Sequence, residues 1–283
     1  MNNTRIKAGL IGSPLKQSLS PRIFKSLLPQ IGGKYSYTLL ETGESGLGQT
    51  LKTIGREGWA GFNVTLPLKE KIIPFLDALS PESEAIGAVN AVRIKNGKLE
   101  GHNTDTAAMK LTLREAGCRL RGRTCVIWGA GGAARAAAWI LASGGAGAVH
   151  IHNRSVLRAD GLMKGFSRIF PRTKFAIRKF TEAPAAAATV FVNATPLGMY
   201  GPLAENLRFN GPPGSVYLDF TYDACSRSLT PFLQNRAGKT ISGIDLLIYQ
   251  ALKSAELYSE RPITAGDIVK LKDRIKAQLR KKG

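Results

Sequence analysis

The stretch Thr124–Ala137, TCVIWGAGGAARAA, decides the fold. Thr124-Cys125-Val126-Ile127-Trp128 is mostly apolar and β-prone, the composition of a buried strand. It runs straight into Gly129-Ala130-Gly131-Gly132-Ala133-Ala134, and an alanine-rich run follows. The frame is G-x-G-x-x-A between a strand and a helix, the setting in which such glycines hold a dinucleotide. Gly129 permits a tight turn, and Gly131 removes a side chain where a pyrophosphate must come close. Ala134 lets the helix lie near the strand. The N–H groups at the start of that helix then face the phosphates. An ordinary strand–helix turn is the competing reading, and both flanks favour the nucleotide.

The next strand sharpens this. A site for NAD places an acidic residue about 20 residues on, to hold the ribose 2′-hydroxyl. Here the strand VHIH ends in Asn153-Arg154-Ser155, with Arg158 a turn later and no acid. A guanidinium suits a 2′-phosphate, because its forked donors match phosphate oxygens. NADP(H) is therefore expected rather than NAD(H), with an exposed arginine at a strand end as the alternative.

Outward from the loop, strands alternate with helices. DTAAMKLTLREAG reads as an amphipathic helix starting at Asp105. TCVIW, GAVHIHN, KFAIRKF, ATVFVNA and SVYLDFTY read as strands, with GGAARAAAWILASGG and VLRADGLMKGF as helices between them. That alternation predicts βαβ units and a parallel sheet. LTPFLQNRAG reads as a helix ended by Gly238, TISG as a short strand, and IDLLIYQALKSAELYS as a long helix before a helical tail. The first part is of another character. KAGLIG and YSYTLLE are strand-like, SPRIFKSLLPQIG is a helix opened by Ser20-Pro21, and LGQTLKTIGREG is helical. GFNVTLP is strand and turn, KIIPFLDAL and SPESEAIGA read as short helices, and Asn96-Gly97 between two strand-like runs predicts a hairpin. The fold class is α/β in two domains, one of them doubly wound and Rossmann-like, with the change of pattern near Asp105.

Composition narrows the function classes. The chain has 283 residues, 43% hydrophobic and 21% charged, as in a soluble globular protein. It has no run of about 18 apolar residues, so no membrane partner is expected. The opening MNNTRIKAGLIG lacks a signal-peptide core, and Cys118, Cys125 and Cys225 follow no metal or redox spacing, so a cytoplasmic setting is expected. His102, His150 and His152 match no metal pattern either. Lys+Arg 40 against Asp+Glu 20 gives a net charge of +20. The basic residues are scattered, apart from the tail KLKDRIKAQLRKKG, with no RNA-binding signature or zinc-finger spacing. That predicts attraction of small anions rather than a nucleic-acid partner.

A nucleotide domain of this kind implies hydride transfer, and a carbonyl that accepts hydride needs a proton donor. Lys69 follows the Pro67 turn in GFNVTLPLKE, Asn90 stands in GAVNAV, and Asp105 in GHNTD. Each lies in a short polar break beside an apolar run, where a site forms on a scaffold. Singly, each has a plain alternative: a solvated lysine, a turn asparagine, and the N-cap of a helix.

In these segments the chain closely resembles the shikimate dehydrogenase family. IGSPLKQSLSP, GFNVTLPLK, IGAVNAV, NTD, GAGGAARA, NRS with Arg158, NATPLGM, DFTY and GIDLLIYQA follow one another in family order across nearly the whole chain. The resemblance implies a substrate-binding domain, 1–104 completed by C-terminal helices 243–283, and an NADP-binding domain, 105–242. It implies the reversible NADPH-dependent reduction of 3-dehydroshikimate to shikimate, in aromatic amino-acid (chorismate) biosynthesis. Lys69 and Asp105 would be the catalytic pair. Ser18 and Ser20 would bind the substrate carboxylate, with Tyr222 near it. Thr65, Lys69, Asn90, Asp105 and Gln250 would hold the ring hydroxyls. NADP would contact Gly129, Ala130, Gly131, Gly132, Ala133, Asn153, Arg154, Ser155, Arg158, Thr195, Phe220 and Gly243. The assembly would be a monomer or homodimer.

The chain departs from the family at three places. Gln17-Ser18 stands for the usual His-Ser, and Leu246-Leu247 for a Met-Leu pair. The stretch after Tyr222 lacks an Asn-Pro. A quinate/shikimate dehydrogenase, or a relative with a changed substrate, is the near alternative. A non-catalytic nucleotide- or nucleic-acid-binding protein is the alternative from another class, and the Lys69/Asp105 pair argues against it.

Overall fold

The computed structural model describes residues 5–27, 34–197, 199, 211–222 and 238–280. The helix expected over LTPFLQNRAG lies outside them except for Gly238, and Cys225 lies outside them too. The chain divides into two compact units, 1–108 with 247–283, and 109–246.

The first unit is built on a mixed sheet. Its strands are β1 (Arg5–Gly12), β2 (Lys34–Glu41), β3 (Gly61–Val64), β4 (Ala78–Leu79), β5 (Ala91–Lys95) and β6 (Lys98–His102), in the order β2-β1-β3-β5-β6-β4. β1 runs parallel to β2 and β3, with Ile11 opposite Val64. β5 runs antiparallel to β3 and to β6, with Ala91 opposite Asn63 and His102. The register has one consequence for function. The carboxyl ends of β1, β3 and β6 and the start of β5 all lie on one edge of the sheet. The segments that follow or precede them carry Ser18 and Ser20, Thr65 and Lys69, Asp105, and Asn90 respectively.

Helices α1 (Ser20–Leu27), α2 (Leu47–Arg56) and α3 (Pro81–Ile86) belong to this unit. The C-terminal helix α8 (Ala265–Arg280) packs against α1. Ile11, Leu47, Ile54, Trp59, Phe62, Val64, Leu68 and Ile72 form a buried cluster at its centre. The hairpin turn is as expected, Asn96 and Gly97 both having positive φ, 52° and 75°, as a two-residue turn of the I′ kind requires.

Two local expectations are corrected. KIIPFLDAL is not a helix: it makes a single 3-10 turn, Ile73–Phe75, and then the short strand β4. Leu76 is already extended, and Asp77 and Ser80 donate their N–H groups to Leu99 and Gly101, so pairing with the edge of β6 overrides the local helical pattern. Asp105 is not the N-cap of α4 (Thr104–Glu115). Asn103 holds that position, its Oδ1 accepting from the Asp105 N–H at 3.2 Å, and Asp105 sits in the first turn.

The second unit is all parallel. β7 (Thr124–Trp128), β8 (Ala148–Asn153), β9 (Lys174–Lys179), β10 (Ala188–Asn193), β11 (Ser215–Asp219) and β12 (Gly238–Ile241) lie in the order β12-β11-β10-β7-β8-β9. Helices α5 (Gly132–Ser143) and α6 (Val156–Ile169) connect the first three strands. Near-continuous burial along β7, β10 and β11 matches a sheet covered on both faces. Trp128, Phe191 and Tyr217 stack across it, with ring centroids 6.1 and 5.2 Å apart. Chain order reverses between β7 and β10, and ligands of such sheets bind outside the carboxyl ends at that switch point.

Candidate functional site

In the first unit Lys69, Asn90 and Asp105 of the strand edge form one largely buried network. Lys69 Nζ donates to Asp105 Oδ2 at 2.5 Å. Asn90 Nδ2 donates to the other carboxylate oxygen at 2.8 Å. Asn90 is held in that orientation because its Oδ1 accepts the Thr104 N–H at 2.6 Å and faces the Thr104 hydroxyl at 3.2 Å. The backbone fixes the frame: Val89 N–H donates to the Lys69 carbonyl, and Asn90 N–H to that of His102. Lys69 is thus an ion-paired side chain rather than a solvated one, and Asn90, 2% exposed, is no surface turn residue.

The Lys69 side chain keeps 18% exposure, and the pair spends one of its three donors. The remaining donors can meet an oxygen of a bound molecule. A charged ammonium held by a fully engaged carboxylate can stabilise a developing oxyanion and give it a proton.

Four members of this network were not among the candidates read from sequence. Asn63 Nδ2 reaches Ser254 Oγ at 2.7 Å, the Asn90 carbonyl at 3.2 Å and Gln250 Oε1 at 3.4 Å. Its Oδ1 accepts from the Tyr37 hydroxyl at 3.0 Å. Thr104 and Ser254 complete the set, 3.3 Å apart at their hydroxyls. One signal was present for Asn63: it is the polar residue of GFNV, a strand buried at all four positions. A buried amide needs partners, and these come from segments far away in sequence.

Gln250, on helix α7 (Gly243–Ser259), joins the network through Asn63, and its Nε2 donates to the Leu247 carbonyl. Ser18, Ser20 and Thr65 share the strand edge rather than the network. Ser18 Oγ accepts the Ser20 N–H at 3.3 Å, and Thr65 N–H donates to the Ile11 carbonyl. Ser13 N–H donates to the Leu66 carbonyl, which ties the loop after β1 to the turn that leads to Lys69.

In the second unit the backbone sets the site. Gly129 ends β7 with φ at +112°, and a Cβ there would lie 2.8 Å from the Ala194 carbonyl oxygen, so only glycine fits. At Gly131 an added Cβ would meet no clash, only Arg158 Nη2 at 4.0 Å. Space beside a guanidinium at a helix start is what a phosphate requires. Ala130, Gly132 and Ala133 complete the loop into α5, and Ala134 is fully buried against the sheet. Thr195 follows β10, both its N–H and its hydroxyl donating to Asn193 Oδ1. Asn193 in turn donates to Asp219 at 3.0 Å, which clamps the ends of β10 and β11 and sets the position of Phe220.

Arg154 and Arg158 are exposed beyond the end of β8. Ser155 caps α6 through the Arg158 N–H, and Asn153 Nδ2 holds the Ser155 carbonyl at 2.8 Å. The turn that presents the two arginines is therefore shaped by its own polar residues. Tyr222 and Gly243 belong to this unit as well, Tyr222 after β11 and Gly243 at the start of α7.

Burial pushes three histidines, His102 on β6 of the first unit and His150 and His152 on β8 of the second, below their usual titration range. For His152, on β8 beside Trp128, burial is the largest cause, opposed in part by the Lys179 backbone. Burial also pushes the Cys125 thiol up to about 12, so it is an inert core group. Among the described residues no cluster of three or more His, Cys, Asp or Glu could hold a metal ion. No described helix is long and apolar enough to cross a membrane.

Comparison with known proteins agrees across both units. Residues 10–92 match the family described as the shikimate dehydrogenase substrate binding domain. The shikimate dehydrogenase (NADP(+)) of Alkaliphilus oremlandii is 35% identical over 259 residues, covering 89% of this chain and 91% of that protein. The crystal structure of shikimate 5-dehydrogenase from Thermus thermophilus, in complex with NADP(H) and shikimate, matches with a TM-score of 0.78 at 30% identity, covering 95% of this chain and 99% of that one. The ligand-free 5-ketofructose reductase of a Gluconobacter species matches with the same TM-score, 0.78, at 26% identity, covering 96% and 99%. Likeness of fold therefore leaves the substrate to be argued from the site.

Proposed function

The chain belongs to the shikimate dehydrogenase family, and from that premise we propose that it catalyses the reversible reduction of 3-dehydroshikimate to shikimate with NADPH. It is an NADP-dependent oxidoreductase acting on a CH–OH group, in aromatic amino-acid biosynthesis. The observation that carries the reading is the part-buried Lys69–Asp105 pair, 2.5 Å apart, with Asn90 on the second carboxylate oxygen.

The residues of the second unit fit NADP: a loop open at Gly131, a helix start behind it, and Arg154 and Arg158 where a 2′-phosphate needs cations. When bound, NADPH supplies hydride to the carbonyl carbon. The chain's own residues deal with the oxygen. As that oxygen gains charge, Lys69 Nζ stabilises it and donates a proton. Asp105 keeps the ammonium aimed, and Asn90 keeps Asp105 aimed. In the oxidative direction Lys69 Nζ takes the hydroxyl proton.

Within the same proposal, 1–104 with 243–283 is the substrate-binding domain and 105–242 the NADP-binding domain. Ser18 and Ser20 bind the carboxylate, with Tyr222 near it, and Thr65, Asn90 and Gln250 join the catalytic pair in holding the ring hydroxyls. The protein acts in the cytoplasm on small anions, as a monomer or homodimer, without nucleic acid.

The test is NADPH formation from shikimate and NADP⁺ by the purified protein, with quinate alongside. Shikimate is expected to be the better substrate, by on the order of 10² in kcat/KM, the discrimination that shape alone gives against an added hydroxyl. No shikimate-dependent NADPH would contradict the proposal.

A further inference from the structure

We propose that Ser254 is a positioning residue for the substrate, acting through Asn63 to keep Gln250 available to it. The inference rests on the reading that the network around Lys69 and Asp105 holds the substrate. Ser254 lies one turn after Gln250 on α7, and it is fully buried. A buried hydroxyl is costly to keep unless its bonds are specific. Here three groups converge on it. Asn63 Nδ2 donates to Ser254 Oγ at 2.7 Å, the Gln250 carbonyl accepts from it at 2.9 Å, and the Thr104 hydroxyl lies at 3.3 Å.

Hydrogen-bond accounting assigns the role. The Asn63 amide has two N–H bonds and three acceptors in reach. Ser254 Oγ is the nearest at 2.7 Å, the Asn90 carbonyl is next at 3.2 Å, and Gln250 Oε1 is the longest at 3.4 Å. The Gln250 side-chain oxygen therefore shares the amide with two nearer acceptors and is held by the longest of the three bonds, so it is the one most readily turned to a substrate hydroxyl. Removing the serine hydroxyl leaves one Asn63 N–H buried without its partner. The long bond to Gln250 Oε1 then tightens, so the glutamine is held more firmly on Asn63 and away from a substrate hydroxyl. A buried donor left unsatisfied costs more than an ordinary hydrogen bond contributes, which drives that rearrangement. The effect should fall on substrate binding rather than on proton transfer, because Ser254 does not touch Lys69 or Asp105.

The test is steady-state kinetics of Ser254→Ala, made both in the natural chain and in a Gln250→Ala background. In the natural chain KM for shikimate is expected to rise about 3–10-fold, the range of one net hydrogen bond, with kcat and KM for NADP⁺ within about twofold. In the Gln250→Ala background the same substitution is expected to change KM by less than about twofold, because the residue it acts through is gone. An unchanged KM in the natural chain, or an equal rise in both backgrounds, would overturn the inference and leave Ser254 a packing residue. Should Ser254→Ala not fold, Ser254→Cys fills the volume with a weak hydrogen-bonding group and carries the same expectations. If the natural protein does not oxidise shikimate at all, the functional reading fails and this inference with it. An active parent with unmoved KM overturns the inference alone.

Discussion

The two units solve their binding problems by opposite means. In the first, side chains from distant segments make one network: Asn63, Lys69, Asn90, Asp105, Gln250 and Ser254 hold one another by hydrogen bonds of 2.5–3.4 Å. In the second, the backbone does the shaping. Gly129 adopts a conformation closed to other residues, Gly131 leaves space, and the charged groups Arg154 and Arg158 stand exposed at a strand end. Each construction suits the demands of its ligand. A small ring with several hydroxyls needs directional partners fixed in advance. A pyrophosphate and a 2′-phosphate need close backbone approach and cations.

The sharpest way to break this contrast is to neutralise the network at its centre. Asp105→Asn keeps the shape but places an NH₂ where the carboxylate accepts from both Lys69 and Asn90. One of those two donors must lose its acceptor. kcat is expected to fall by about 10²–10⁴-fold, the range of acid–base roles, while KM for NADP⁺ stays near its parent value. A variant with near-normal kcat would show that the network is scaffolding only.

In the second unit the corresponding charge substitution should act on binding alone. Arg154→Ala removes a charge-assisted contact of about 1.5–3 kcal/mol, so KM for NADP⁺ is expected to rise roughly 10–100-fold with that for NAD⁺ little changed. Equal losses for both nucleotides would remove Arg154 from 2′-phosphate recognition. A backbone substitution in the same unit should cost stability first. Gly129→Val sets a branched side chain at φ +112°, with its Cβ 2.8 Å from the Ala194 carbonyl oxygen. Urea unfolding is expected to show a loss on the order of 1–3 kcal/mol. An unchanged midpoint would mean the loop relaxes freely.

The smallest effect concerns pH. His150 and His152 in the second unit, and His102 in the first, are all held below their usual titration range, by burial first. The unfolded chain then binds more protons than the folded one as pH falls below about 6.5. Stability is full above that value and is lost as pH drops through the folded-state values. His152→Phe should make stability fall less steeply between neutral pH and pH ~5. A variant with the parent's slope would assign the acid sensitivity to other groups.

The same contrast explains what could be read from the sequence. The second unit was legible in detail, because its signals are contiguous: a strand, a glycine frame and a helix follow one another in TCVIWGAGGAARAA. The first unit gave its hairpin at Asn96-Gly97, and most of its elements, by the same local logic. It misled at KIIPFLDAL, where pairing with β6 at Leu99 and Gly101 prevails over local pattern. It misled again at Asp105, because a cap is decided by which side chain turns back, and Asn103 does.

The network itself was legible only in part. Lys69, Asn90 and Asp105 stood out singly as polar breaks, and only their matching of family segments joined them. Asn63 and Ser254, 191 residues apart along the chain, carry no local sign that they meet at 2.7 Å. A contact made by the register of β3 and the docking of a late helix is a tertiary fact.

The most direct test of the account is the oxidation of shikimate by Lys69→Ala beside the natural protein, with NADP⁺ saturating and folding followed by circular dichroism. A folded variant whose kcat is about 10²–10⁴-fold lower is expected, since the group that exchanges the proton is gone. A folded variant that forms NADPH at close to the natural rate would contradict it.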